Sequence, residues 1–273
     1  MEMNDICRMV ARTLVAEIGP WGEHCALFGG LIPGLLVPQP PGTLAPHIGT
    51  KDVDLALRVA ALGDDSEMYR TLKQNLTSIG LRQASDTSFK WFRDVEGVNI
   101  EVELFVPVSE QAEGGSIQRK PIEQSGSGLT ALGIYGLDLI ERDIELISDE
   151  GPLLDGLGIK RVQLRVCGSA MLLALKAWAM TERNKTKDGY DVVWMLKARG
   201  PAAIAERFCE AELSQTEFGK GAITRLEECF STPAHTGAVA WVKESNFEPE
   251  EAAREARDAV GLVQEFIANV QKS

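Results

Sequence analysis

The chain has 273 residues, of which 44% are hydrophobic and 25% are charged, and this ordinary globular composition predicts a substantial buried core. A formal net charge of -12 argues against a protein that coats nucleic acid non-specifically, because a polyanion requires a basic surface, and leaves room only for a local basic patch. Five dispersed cysteines and three histidines offer no zinc-binding spacing, so reduced thiols are expected.

The N-terminal residues contain no basic segment followed by an apolar run, so we expect no signal peptide. No uninterrupted apolar stretch reaches the length that spans a bilayer, so we expect no membrane association. Together these features predict a cytoplasmic protein.

Residues 1–110 predict an α/β domain, a small mixed sheet flanked by helices. The helices end at glycines, and the strands show apolar runs or alternation. The predicted elements are, in order, a helix capped by Asn4 or Asp5 and ending near Gly19, a buried strand over 25–28, a proline-rich loop over 33–46, a strand over 51–59, a helix capped by Asp65 or Ser66 and ending at Gly80, and strands over 88–94 and 98–106.

The remaining chain predicts a linker with additional strands over residues 111–168 and a helical domain over 169–273. A polar loop over 109–128 comes first, and Ser169 is the expected cap of the first long helix. The other predicted elements are strands over 137–147 and 159–166 and helices over 170–183, 187–199, 202–213, 215–230 and 249–270. The expected fold class is therefore α/β (α+β), with a mixed sheet, flanking helices and a mainly helical C-terminal region.

Two aspartates lie two residues apart in the strand predicted over 51–59. Side chains alternate along a strand, so Asp52 and Asp54 are expected on the same face. Two carboxylates on one face repel each other and are costly to shield from water without a cation between them. Since hard oxygen ligands favour Mg²⁺ or Mn²⁺, the pair predicts a divalent metal site.

The strand predicted over 98–106 alternates cleanly and places two more acidic residues together, Glu101 and Glu103. Three carboxylates from two neighbouring strands can hold two metal ions. Glu103 is our choice for the third carboxylate, with Glu101 on the same face as the alternative. The competing interpretation makes both residues the solvated face of an edge strand.

Residues near the aspartates provide further candidate contacts to a phosphate. Gly29 and Gly30 end a buried strand and would let the backbone approach a phosphate closely. Thr50 is suited either to bind a phosphate or to cap the turn before the aspartate strand. His47 lies at the edge of the proline-rich loop. It is either a substrate contact or an ordinary loop residue, and the second interpretation is favoured.

A basic cluster follows in the helical region. Lys176 and Arg183 are seven residues apart, two turns on one helix face. The stem of Lys176 lies among leucines, and its ammonium suits a triphosphate. With Lys185 and Lys187, the cluster could meet phosphates of a nucleotide or of an RNA acceptor. The alternative is a solvated helix end whose basic residues complement the helix dipole.

These motifs resemble the nucleotidyltransferase fold of polymerase-beta type, which combines a glycine turn, a Thr50-x-Asp52-x-Asp54 strand and a later acidic strand. A second segment is similar to the helical signature of the AbiEii/AbiGii-type nucleotidyltransferase toxins, including the MenT-like toxins of type IV toxin–antitoxin systems. That segment reads Lys176-x-x-Ala179-x-x-x-Arg183-x-Lys185-x-Lys187-Asp188-x-x-Asp191. The resemblance covers about residues 27–196, and the chain departs from it by Leu31 after the glycines and by the proline-rich insertion.

The resemblance implies a nucleotidyltransferase (EC 2.7.7 type) whose α/β domain, residues 1–110, is completed by the helical domain. It implies Mg²⁺ (or Mn²⁺) as cofactor, a nucleoside triphosphate as substrate, tRNA as a candidate acceptor, and a cognate antitoxin as partner. Acceptors that are proteins or small molecules, and a non-catalytic binding protein, remain alternatives. The candidate site residues are Asp52, Asp54 and Glu103 as catalytic metal ligands, Lys176 and Asp191 as further catalytic residues, and Gly29, Gly30, Thr50, Lys176, Arg183 and Lys187 as nucleotide contacts.

Overall fold

A computed structural model describes residues 3–57, 66–85, 88–109, 111, 116–118, 122–124, 126–183 and 185–272. The fold is mixed α/β, with an open mixed sheet and flanking helices. Its strands are β1 (Cys25–Phe28), β2 (Asp52–Leu57), β3 (Arg82–Gln83), β4 (Lys90–Val95), β5 (Val98–Val108), β6 (Ile122–Glu123), β7 (Thr130–Tyr135), β8 (Ile144–Pro152) and β9 (Ile159–Cys167). Its helices are α1 (Met3–Glu17), α2 (Ile32–Leu36), α3 (Ser66–Ser78), α4 (Ser169–Glu182), α5 (Lys187–Arg199), α6 (Pro201–Glu210), α7 (Glu217–Cys229), α8 (Thr236–Ser245) and α9 (Pro249–Lys272).

The aspartate strand lies inside the sheet, whose order is β3-β4-β5-β2-β1-β9-β8. β2 pairs antiparallel with β1 and parallel with β5, while β9 pairs parallel with β1. β7 pairs parallel with the last residues of β5, and β6 pairs with β7. Neighbours on both sides fix the register of β2, and a fixed register determines which side chains of β5 its aspartates meet.

Burial follows the pattern of each element. β1 is apolar and buried along its whole length, as expected of a strand covered on both faces, whereas β5 alternates through Ile100, Val102 and Leu104. α4 is buried on most of its surface and packs against α5 and α7. α5 also packs against α8, and α6 against α9. These contacts place α4 and α5 in fixed positions for any residues they contribute to a site.

Most of the predicted elements are confirmed, and the errors have local causes. Residues 137–143, predicted as the start of a strand, form a 3₁₀ helix after Gly136, whose φ of 82° begins a turn. A short apolar run does not by itself distinguish a strand from a helical turn. Residues 33–36 of the predicted proline-rich loop belong to α2, which has a proline in its first turn. β6 lies inside the loop predicted over 109–128, and β7 and α8 were not predicted.

The helix caps also differ from expectation. Gly168, and not Ser169, is the N-cap residue of α4. Asn4 lies within α1, and its side chain accepts a hydrogen bond from the Thr50 backbone N–H at 3.2 Å. Asp65, the last two residues of the strand predicted over 51–59, and parts of the loop predicted over 109–128 lie outside the described residues. Within the part of the chain that the structure describes, no helix has both the length and the apolar character needed to cross a membrane.

Candidate active site

Four carboxylates meet where β2 runs beside β5. In this parallel pair Asp52 lies opposite Glu101, and Asp54 lies opposite Glu103. Because residues two apart on a strand share a face, all four side chains project from the same side of the sheet. Glu103 is therefore the glutamate adjacent to Asp54, and its side chain is less exposed than that of Glu101, at 15% against 26%.

The glycine turn lies against this acidic face, although the proline-rich loop separates the two in sequence. Phe28 pairs with Asp54, so the chain after β1 turns directly beside the aspartate. Gly29 has a φ of 78°, and a Cβ on it would lie 1.8 Å from Asp54 Oδ2. A Cβ on Gly30 would lie 2.4 Å from the Lys187 ammonium. Both positions require the close backbone approach that glycine allows.

Thr50 holds the first aspartate in place. Its hydroxyl donates a hydrogen bond to Asp52 Oδ1, and its backbone N–H is bound by the Asn4 side chain. Of the two roles expected for Thr50, the structure shows a contact to Asp52 at the start of the strand. This contact orients one oxygen of Asp52.

Burial disfavours the charged form of Asp54. Burial and then the charge of Asp52 raise the pKa of Asp54 to about 7, against the lowering effect of Lys176, Arg183 and Lys187. A carboxylate with a raised pKa is stabilised in its charged form by any additional cation nearby. The pair consequently favours a bound cation.

Lys90 is a site residue that the sequence interpretation missed. It lies opposite Glu103 in the antiparallel pair of β4 with β5, and its Nζ donates to Glu103 Oε1 at 2.5 Å and also to Glu101. Burial, Glu101 and Asp54 raise the pKa of Glu103. Burial alone would raise the pKa of Glu101, but its hydrogen bonds with Glu103 and Lys90 lower it. Both glutamates thus share one lysine.

A second group of charges comes from α4 and α5. Lys176 is almost fully buried, donates to Asp188 Oδ1 at 2.8 Å, and lies 2.6 Å from Asp191 Oδ2. Burial alone would lower the pKa of Lys176, but Asp191 and Asp188 raise it well above its usual value. The two carboxylates therefore favour the charged form of the ammonium.

Asp188 forms ion pairs with two basic side chains, Lys176 and Arg183. Arg183 Nε donates to its Oδ2 and Arg183 Nη2 to its Oδ1, each at 2.8 Å, and Lys176 also binds Oδ1. Burial alone would raise the pKa of Asp188, but Lys176 and Arg183 lower it. Asp188 therefore has a buried ion-pair role between α4 and α5.

Asp191 is fully buried between a histidine and two lysines. His47 Nε2 lies 2.8 Å from its Oδ1, and Lys187 Nζ lies 3.6 Å from its Oδ2. Burial alone would raise the pKa of Asp191, but Lys176, Lys187 and the hydrogen bond from His47 take it far below the usual range. His47, interpreted from the sequence as an ordinary loop residue, contacts a predicted catalytic residue.

A cavity of about 50 Å³ connects the two groups of charges. Asp54, Lys176 and Arg183 line its polar side, next to Gly29. Its apolar side is lined by Phe28, Phe105, Leu172 and Leu175, among others. An acid of the central sheet and two cations of the helical region thus face the same space.

The donor chemistry fits Mg²⁺ or Mn²⁺, because Asp52 and Asp54 offer hard carboxylate oxygens from one face. Among the described residues, no three His, Cys, Asp or Glu side chains are arranged to hold a metal ion together. Glu103 Oε1 accepts a hydrogen bond from Lys90 Nζ, so a metal ion would compete with this lysine for Glu103.

Every predicted site residue lies at this junction of β2, β5, the glycine turn and α4–α5, and Lys90, Asp188 and His47 join them there. In comparisons with known proteins, no family model, no curated protein and no solved structure matches the chain. Its function is therefore inferred from the chemistry of these side chains and from the motif resemblance.

Proposed function

We propose that this protein is a nucleotidyltransferase that uses Mg²⁺ or Mn²⁺ to transfer a nucleotidyl group from a nucleoside triphosphate to an acceptor hydroxyl. The observation that supports this most directly is the cavity that Asp54 shares with Lys176 and Arg183 beside the glycine turn. Nucleotidyl transfer needs both carboxylates and cations within reach of a polyphosphate, and little else from the protein.

The acidic half of the site has two roles in this proposal. Asp52 and Asp54 hold the metal, which when bound supplies charge neutralisation at the phosphates. Glu103 assists the attacking hydroxyl, because burial, Glu101 and Asp54 raise its pKa toward the range in which a carboxylate accepts a proton at neutral pH. The alternative carboxylate, Glu101, has a lowered pKa and a more exposed side chain.

The basic half of the site binds phosphate. Lys176 presents a charged ammonium from a buried position, and Arg183 adds a planar donor group at the edge of the cavity. Lys187 lies beside Gly30, where the backbone can approach a phosphate. Together these groups offset the negative charge that develops on the leaving pyrophosphate.

Asp191 acts as an anchor for Lys176 in this scheme. Its lowered pKa and its partners on both carboxylate oxygens make it a poor general base. These contacts favour a role in holding Lys176 over a role in deprotonating the acceptor.

The acceptor is proposed on the motif resemblance alone. It is a hydroxyl of tRNA, and the protein is then the toxin of a toxin–antitoxin pair. The net charge of -12 makes a small molecule or a protein side chain the main competing acceptor, because RNA requires a basic binding surface.

Incubation with each labelled nucleoside triphosphate, Mg²⁺, and either total RNA, protein extract or small-molecule extract tests the proposal. Label in RNA supports the proposed acceptor, and label in protein or small molecules supports transferase activity with another acceptor. The absence of any Mg²⁺-dependent transfer would contradict the proposal and support a non-catalytic binding protein.

Substitution of the metal aspartates tests the assigned residues. We expect Asp52→Ala and Asp54→Asn each to reduce the transfer rate by at least ~10³-fold, because the negative charge that holds the metal is lost. Asp258→Ala, which removes an exposed acid on α9, is the matched control and is expected to keep full activity. Near-normal turnover by Asp52→Ala would remove the basis for the metal assignment.

A further inference from the structure

His47 is held in a buried position between the proline-rich loop and β2. Its side chain is 1% exposed, its Nδ1 accepts a hydrogen bond from the Gly49 backbone N–H at 3.1 Å, and its Nε2 lies 2.8 Å from Asp191 Oδ1. Because Nδ1 is an acceptor, the proton of the neutral ring is on Nε2 and points at the carboxylate. Burial also lowers the pKa of His47, against the opposing effect of Asp191.

The ring has no freedom to turn away from Asp191. It packs against Tyr190 and Trp194, with ring centroids 5.2 and 5.1 Å apart. Tyr190 Oη accepts a hydrogen bond from the Ile48 backbone N–H, and Trp194 Nε1 donates one to the Ala45 carbonyl oxygen. The loop on both sides of His47 is therefore fixed to α5.

The contact continues from His47 to the phosphate-binding lysine. One oxygen of Asp191 faces His47 and the other lies 2.6 Å from Lys176 Nζ. Since Asp191 and Lys176 are both buried, a rotation of the Asp191 carboxylate would remove one of the two carboxylate partners of the lysine and leave it only Asp188. Asp191 can hold Lys176 in one place only while its own orientation is fixed.

We propose that His47 is a positioning residue for nucleotidyl transfer. It donates a hydrogen bond from Nε2–H to Asp191 and so keeps the Asp191 carboxylate oriented toward Lys176. It does not contact the substrate itself. Its Nδ1 also accepts the Gly49 backbone N–H, so the turn that leads into β2 contacts the same ring as Asp191 of α5. This inference rests on the proposed function.

A pair of substitutions separates the hydrogen bond from the packing. His47→Gln keeps an N–H donor near the position of Nε2, whereas His47→Phe fills the space between the aromatic rings without a donor. We expect His47→Phe to lower kcat by ~10–100-fold with less than about a threefold change in KM for the nucleotide, and His47→Gln to stay within about fivefold of the wild type. His235→Phe, at an exposed histidine, serves as the control and should leave both constants unchanged.

A second measurement does not depend on activity. In ¹⁵N NMR of the imidazole groups of the wild-type protein, His47 should show a protonated Nε2 and an unprotonated Nδ1, with a slowly exchanging Nε2 proton that is absent from His47→Phe. This signature stands even if no transfer is found, which would contradict the proposed function and not the hydrogen bond. A protonated Nδ1, or a folded His47→Phe variant with full kcat, would overturn the positioning role.

Discussion

At the scale of single residues, the two aspartates of β2 have different surroundings. Asp52 accepts a hydrogen bond from the Thr50 hydroxyl. Asp54 lies against the backbone of Gly29, and its pKa is raised to about 7. Without a cation, the ionised form of Asp54 therefore opposes folding. The proposed metal-binding role needs a charged Asp54 and therefore has a cost in stability, which can be measured without any substrate.

The stability of Asp54→Asn should depend on pH in a defined direction. The folded-state pKa of about 7 lies above the unfolded value, so the penalty is absent below about pH 4 and complete above about pH 7. In EDTA we expect Asp54→Asn to be more stable than the wild type by on the order of 3 kcal/mol at pH 8. The difference should disappear toward pH 4. Urea unfolding monitored by circular dichroism measures it, and a constant difference across this range would contradict the electrostatic assignment.

At the scale of secondary-structure elements, strand register decides the charge balance of the acidic face. β5 lies between β2 and β4, so Glu103 has Asp54 on one side and Lys90 on the other. Lys90 provides the glutamates with a cation of their own. A metal ion at this face must therefore compete with the lysine for Glu103.

Removal of that lysine should strengthen metal binding. We expect Lys90→Gln to bind Mn²⁺ about 3–10-fold more tightly than the wild type, because a repelling charge is lost and Glu103 becomes available. Electron paramagnetic resonance of free Mn²⁺ measures the affinity in the absence of nucleotide. Lys160→Gln, at an exposed lysine of β9, controls for the change in net charge, and equal Mn²⁺ affinities of the two variants would show that Lys90 does not compete with the metal.

What the sequence predicted at this scale depended on patterns within one element. The period of two indicated the aspartate pair and the glutamate pair, and the spacing of Lys176 and Arg183 indicated one helix face. The partners of these residues were not predictable, because Lys90 reaches Glu103 through the register of two strands and His47 reaches Asp191 across the fold. Asp188 lies in the segment that carries the motif resemblance, but its two cationic partners depend on how α4 meets α5.

At the scale of the whole molecule, charged side chains connect the sheet to the helical region. Arg199 on α5 binds Glu145 on β8 at 2.5 Å. Asp143, just before β8, accepts a hydrogen bond from the Met171 backbone N–H at 2.8 Å and so caps α4 from outside the helix. Since α4 carries Lys176, these contacts hold the helix of Lys176 and the helix α5 against the β8 side of the sheet.

Asp143→Asn should therefore destabilise both regions together. The buried carboxylate also binds Arg207 of α6, so its neutralisation weakens a helix cap and an ion pair at once, at an expected cost of about 2–4 kcal/mol. Urea unfolding followed by tryptophan fluorescence tests this in two single-tryptophan proteins. One protein retains Trp91 of the sheet, and the other retains Trp241 of α8. If the two regions unfold as one unit, both reporters should shift to lower urea concentration by the same amount. Asp138→Asn, at an exposed acid of the same 3₁₀ segment, should leave both unchanged. A shift confined to Trp241 would mean that the helices unfold independently, and that the site is assembled from two separately stable parts.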